Sequence, residues 1–295
     1  MFRRLDWARL LPALSVVCLT FGVAVSTRAQ DSRALTPLQI EIEKQRQRLG
    51  STETEDRRDA LMRLGLLRRV EASRVSLAGL SDALPIIRAT AAAAVVSLPP
   101  DEAAAALIPL LSDMDEFVRQ QAAYALGATG SRRSVPPLVE RLQLDKMDSV
   151  RAAAAVALGQ VGDEGAVVPL ASILSGTVAA ASKQKKEKNE FILRSAARSL
   201  GRIRSRAAVP SLIEALGNEM MPVDVRREAA QALGLIGDSS ALSALRAASA
   251  HADVYLAQAA LEAIKRISSR PQGALLKIER GFAAAQFGKA LPFRT

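Results

Sequence analysis

Nearly half of this 295-residue chain is hydrophobic (49%) but only 3% is aromatic, so its core must be packed from small aliphatic side chains. A single cysteine, Cys18, and a single histidine, His251, exclude an internal disulfide framework and any histidine-based triad combined with a metal site. The formal charge of +10 favours acidic partners or anionic surfaces without specifying a fold.

The first 29 residues read as a secretory signal peptide. Arg3, Arg4 and Arg9 form a positive start, residues 10–26 an almost uncharged apolar run, and Ala29 a small residue before polar Gln30-Asp31-Ser32. An uncleaved membrane anchor is the alternative. Cys18 follows bulky Val17, which suits a lipoprotein signal poorly. Loss of residues 1–29 removes four arginines and Asp6, leaving +7 and no thiol. Residues 30–37 read as a polar linker.

Residues 38–268 repeat about every 31 to 32 positions. Val118–Gly130, Val150–Gly162 and Val225–Gly237 share V-R-x-x-A-A-x-A-L-G-x-x-G. The first glycine of the motif, or its counterpart, falls at Gly65, Val96, Gly127, Gly159, Gly201, Gly234 and Lys265. A constant period of this size marks stacked units that bury their apolar faces against neighbours. Alanine-rich segments without period-two alternation make the units helical, so the fold class is all-α.

Each unit predicts two helices. Helix A has the form A-V-P-x-L-x-x-x-L, as at Val135-Pro136 with Leu138 and Leu142, or Val209-Pro210 with Leu212 and Leu216. Its proline stands in the first turn, where the missing N–H costs nothing. Helix B carries the V-R motif, and the glycines after its A-L pair are expected to close it. Seven pairs follow, near 38–70, 71–100, 101–132, 133–162, 163–205, 206–237 and 238–268. Thr52 with Glu55 has capping-box spacing for the first helix B. The fifth unit holds about ten extra residues between its helices. This basic insertion, 175–190, contains Lys183, Lys185, Lys186 and Lys188 and is expected to be a solvated loop. Residues 269–295 form a C-terminal cap and tail, with Leu275, Leu276, Ile278 and Phe282 as the apolar side of a capping helix.

At 100° per residue, the valine, alanines and leucine of helix B gather on one side, and positions one, five and nine after the arginine on the other. In unit five that outer face reads Arg194, Arg198 and Arg202; elsewhere it includes Tyr124 and Arg227. Arginine suits bidentate carboxylate or phosphate contacts. Such side chains, projecting freely, are expected to leave the melting temperature nearly unchanged when replaced by glutamine. An ordinary solvated face is the plain alternative.

The repeat resembles the HEAT-like repeats, particularly the short class named after phycobilisome lyase subunits. That resemblance implies a right-handed α-solenoid of about seven helix pairs with a C-terminal capping helix. It implies that the helices B line the binding face, and that the motif arginine and the aspartate before it form a ladder between repeats: Asp115 with Arg119, Asp148 with Arg151, Asp224 with Arg226. Leu193 and Ala257 replace the arginine in units five and seven. The repeat also resembles deoxyhypusine hydroxylase, but the His-Glu pairs of that di-iron site are missing, since Ala252 follows His251. HEAT-like DNA glycosylases lean on aromatic side chains, and the only tryptophan, Trp7, lies in the leader. His251 reads as a surface or capping residue.

These readings converge on an exported, non-catalytic scaffold that needs no cofactor or metal. It binds a protein partner with an acidic segment through the helix-B face; Arg194, Arg198, Arg202, Arg227, Tyr124, Lys183, Lys185, Lys186 and Lys188 are the candidate contacts. Nucleic acid and small-molecule substrates are disfavoured. Binding to a polyanion or an anionic membrane surface is the alternative, and an enzyme of unrecognised type a third reading.

Overall fold

The structure, a computed structural model, describes residues 35–175 and 183–269, with side chains of 183–189 excluded. The leader, most of the linker, the cap and its four apolar residues lie outside the described residues. The chain divides into units Met1–Ile40 and Glu41–Thr295. In the first, Thr36 and Gln39 exchange hydrogen bonds: Thr36 N donates to Gln39 Oε1 (2.9 Å) and Gln39 N to Thr36 Oγ1 (3.3 Å). This is a capping box. The expected box at Thr52 and Glu55 does not form; that helix begins at Thr54 after Glu53, with no side-chain cap. Ser51 Oγ instead accepts from Glu53 N.

Among the described residues there are fourteen α-helices and no strand. They pair in order as α1 Pro37–Arg48 with α2 Thr54–Leu67, α3 Val70–Ser76 with α4 Pro85–Ala94, α5 Pro100–Leu107 with α6 Glu116–Thr129, α7 Val135–Leu144 with α8 Asp148–Val161, α9 Val167–Ser175 with α10 Lys183–Ile203, α11 Val209–Gly217 with α12 Val223–Ile236, and α13 Leu242–Ser249 with α14 Val254–Ser269. The even-numbered helices are the helices B, each packed against the next. The chain folds as an all-α solenoid. One continuous apolar cluster runs from Ala89 to Ile267. Leu126, Leu158, Leu200 and Leu233 from successive motifs are fully buried, and each such burial stabilises the stack by about 2 kcal/mol.

The two glycines of the motif have different tasks. The second ends the helix: Gly130, Gly162 and Gly237 take φ of 70°, 73° and 79°. The first stays helical and does not close helix B. A Cβ on Gly201 would lie 2.7 Å from Ala232 Cα, and one on Gly159 2.5 Å from Ser199 Cβ. These glycines let neighbouring helices B touch through their backbones, as small residues do wherever helices approach closely. Beside Gly159, Ser199 is buried and donates to Ala155 O of the preceding helix B (2.8 Å).

In unit five the helix-ending glycine is replaced by Arg204, held at φ 59°. A side chain in that region costs about 1 kcal/mol. Arg204→Gly is therefore expected to stabilise the fold by about that amount, seen as a raised urea midpoint with unchanged slope.

Candidate functional site

The turns from helix A to helix B carry a ladder in a different register from the expected one. Arg57 pairs with Asp82 (2.9 Å), Arg88 with Asp113 (2.7 Å) and Arg119 with Asp145 (2.9 Å), each acid 25 or 26 residues after its arginine. Each arginine thus reaches forward to the next repeat. Asp115 instead caps α6, accepting from Phe117 N and Val118 N. Asp148 does meet Arg151, but within α8 and at 3.5 Å. Asp224 pairs with Arg227 and Arg194, not with Arg226. The expected between-repeat ladder is therefore corrected in its acids: Asp115 caps its own helix, and the aspartate that Arg119 meets across the interface comes from the turn of the next repeat.

The ladder acid also shapes its turn by accepting the N–H two residues on, at Leu84, Asp115 and Met147. Asn218 does the same for Met220 N (2.9 Å), and His251 Nδ1 for Asp253 N (3.0 Å). Asn218 stands 25 residues after Leu193, so both ladder positions are uncharged there. His251 stands opposite Arg226, whose Nη1 lies 3.3 Å from Nε2. An imidazole offers at most one acceptor nitrogen, and Asp253 occupies it. This rung lacks the carboxylate attraction of the others, and Arg226 turns to Leu216 O (2.9 Å).

Where the turn ladder loses its charges, a second set of ion pairs stands on the helix-B face. Arg198 grips Glu228 of α12 with both Nε (3.2 Å) and Nη2. Glu228 is only 7% exposed, so Arg198 neutralises a buried carboxylate. That hydrogen bond raises the Arg198 pKa further above its usual value. Arg194 Nη1 lies 3.8 Å from Asp224 Oδ2, while its Nε is buried with no hydrogen-bond partner among the described residues. The Arg194 side chain is only 35% exposed, and Ala89 and Ala152 at the same motif position are buried. Arg194 is thus a flank residue, not an outward one. Arg202 is exposed and has no ion-pair partner among the described residues. Free projection of all three arginines is corrected to one, because the next repeat presents acids to the other two. Glutamine at all three positions would strand Glu228, so stability should fall.

Arg227 pairs with Asp224 and lies 5.9 Å from the centre of the Tyr255 ring. Tyr124 is partly buried against the core. Lys183, Lys185, Lys186 and Lys188 lie on the first turns of α10, not in a loop; their side chains are outside the described residues. Four arginines against Asp224 and Glu228 leave the face of units five and six positive. Among the described residues, no group of three or more His, Cys, Asp or Glu side chains is placed to hold a metal ion, and no helix is long and apolar enough to cross a membrane.

No functionally curated protein matches the sequence. Among solved structures, the complex of CpcE and CpcF of phycocyanin lyase from Nostoc sp. PCC7120 is similar at 21% identity over 86% of this chain and 97% of that one, with a TM-score of 0.48. Human deoxyhypusine hydroxylase is similar at 22% identity over 77% and 84%, with a TM-score of 0.40. An engineered protein is similar at 19% identity over 85% and 75%, with a TM-score of 0.45. The HEAT-repeat model matches residues 73–159, 104–183 and 178–265, which together span more than half of the sequence. The chain belongs to the HEAT-repeat family.

Proposed function

We propose that this chain is an exported, non-catalytic scaffold that binds a protein partner carrying an acidic segment through the helix-B face of units five and six. The observation that carries the reading is Arg202. It is exposed, in line with Arg198 at i+4 spacing, and unmatched by any acid among the described residues. Arg198 is still half exposed beyond its grip on Glu228. The leader pattern of residues 1–29 supports export, and the single histidine supports the absence of histidine-based catalysis.

Arg202→Glu tests this without stranding Glu228. The mature protein, used to capture partners from its host's envelope fraction, is expected to lose at least tenfold in capture, because a desolvated charge-assisted contact is worth about 1.5–3 kcal/mol. Arg202 stands in the last turn of α10, so glutamate should lower stability by no more than about 1 kcal/mol, through the helix dipole. Unchanged capture by the variant removes Arg202 from the contact. A second reading, binding to a polyanion or anionic membrane surface, is favoured by exposed Arg132 and Arg206, whose acids Asp163 and Asp238 sit at 3.3 and 3.5 Å. Steep loss of binding with added salt marks that reading.

A further inference from the structure

Two hollows lie side by side at the start of the helices B, one between units three and four and one between units four and five. One, of about 420 Å³, is lined by Met114, Leu144 and Met147 together with the Arg119–Asp145 rung and Lys146. The other, of about 530 Å³, lies between Lys146, Met147, Asp148 and Ser149 on one side and Phe191 on the other. Met147 and Lys146 belong to both. The apolar side chains here are unusually open: Met114 is 99% exposed, Leu144 70% and Phe191 52%. Methionine packs adaptably against varied partners, and an exposed apolar cluster of this kind marks a contact surface.

Charge indicates what fits. Asp113 and Asp145 are taken by Arg88 and Arg119, and Asp148 lies 3.5 Å from Arg151. Lys146 is exposed with no ion-pair partner among the described residues, so the shared rim carries a spare positive charge. Position adds a second constraint. Phe191, Arg194, Arg198 and Arg202 follow at i, i+3, i+7 and i+11, which places them on one face of α10. At 1.5 Å per residue, Arg198 lies about 10 Å and Arg202 about 16 Å along the helix from Phe191. Phe191, which walls the second hollow, therefore stands on the same face of α10 as the arginine stripe.

We infer that the segment bound at the stripe carries an aromatic or large aliphatic anchor that fills the Met147–Phe191 hollow, with its acidic residues displaced along the chain to reach Arg198 and Arg202. This rests on the proposed function and specifies its partner. In an extended segment, at about 3.3 Å per residue, anchor and acids are about three to five residues apart.

Short fluorescent Gly/Ser peptides test this, with phenylalanine at the centre and glutamates three and five positions away on both sides, so that either chain direction can bind. Anisotropy against mature protein is expected to show saturable binding. Exchanging the peptide phenylalanine for alanine, or making Phe191→Ser or Met147→Glu in the protein, should weaken it at least tenfold. Both protein sites are partly open, and an unchanged melting temperature confirms that each variant is folded; either variant suffices. Equal binding of the alanine peptide overturns the anchor and leaves the acidic contact standing. Equal binding of a peptide with lysines for glutamates overturns the acidic contact itself. Absence of saturable binding by the parent peptide also overturns the inference.

Discussion

Gly159→Ala should destabilise the solenoid by about 2 kcal/mol. A methyl there lies 2.4 Å from Ser199 Oγ, 2.5 Å from its Cβ and 2.7 Å from its Cα. Because the last atom is backbone, α8 and α10 must separate. Separation also stretches the buried Ser199–Ala155 hydrogen bond. Overpacking of this kind costs about 1–3 kcal/mol. It outweighs the gain of about 1 kcal/mol that alanine brings to a helix interior. Gly217→Ala is the matched control, since no atom lies within 4 Å of its added methyl. Urea unfolding followed by circular dichroism should show a lower midpoint for the first variant and an unchanged or raised one for the second. A neutral Gly159→Ala would mean that helix contact through this glycine does not set the spacing of the stack.

Asp145→Asn should cost about 2 kcal/mol at neutral pH. The carboxylate is 2% exposed and Arg119 13%. Removing its charge leaves a largely buried guanidinium unpaired. Burial pushes the Asp145 carboxyl up, but the Arg119 hydrogen bond, the Met147 N–H and Arg141 together hold it below the ordinary aspartate value. Asp113 is lowered likewise, first by Arg88. A carboxyl depressed by folding contributes stability that is present above its unfolded value, near 4, and is lost as pH falls through the folded value. The gap between wild type and Asp145→Asn should therefore be widest near neutrality and close in acid. The double variant Arg119→Leu with Asp145→Asn places leucine and asparagine as they stand at Leu193 and Asn218. It should recover at least about 1 kcal/mol relative to the sum of the single changes. Strict additivity would show that the rung carries no coupling.

Periodicity exposed the architecture because burial in a solenoid is local. The same valine, alanines and leucine face the core in every motif, so one alignment locates them all. The ladder was less legible. Its arginine column stands inside the motif, whereas its acid column, Asp82, Asp113, Asp145, Asn218 and His251, lies in turns where the residue type varies and only the hydrogen bond to the N–H two residues on is constant. Sequence spacing places Asp115 nearer to Arg119 than Asp145, and only the stacking of repeats reverses that order. The arginine stripe failed on the same point. A single-helix projection places Arg194 and Arg198 outward, and it is the next helix that brings Asp224 and Glu228 to them. The start of α10 was hidden by composition, since a lysine-rich run resembles a solvated loop although lysine is a good helix former. Arg204 could have been found from the motif alone, as the residue standing where other repeats have a helix-ending glycine.

Photo-crosslinking of residues 30–295 in a lysate of the native host tests the partner-binding face most directly. A photoreactive residue at position 202 is compared with one at position 168, where Val168 is 75% exposed on α9. The helix-B contact predicts covalent adducts with a partner bearing an acidic segment from position 202 and none from position 168. Adducts from position 168 alone, or equal yields from both, would contradict it.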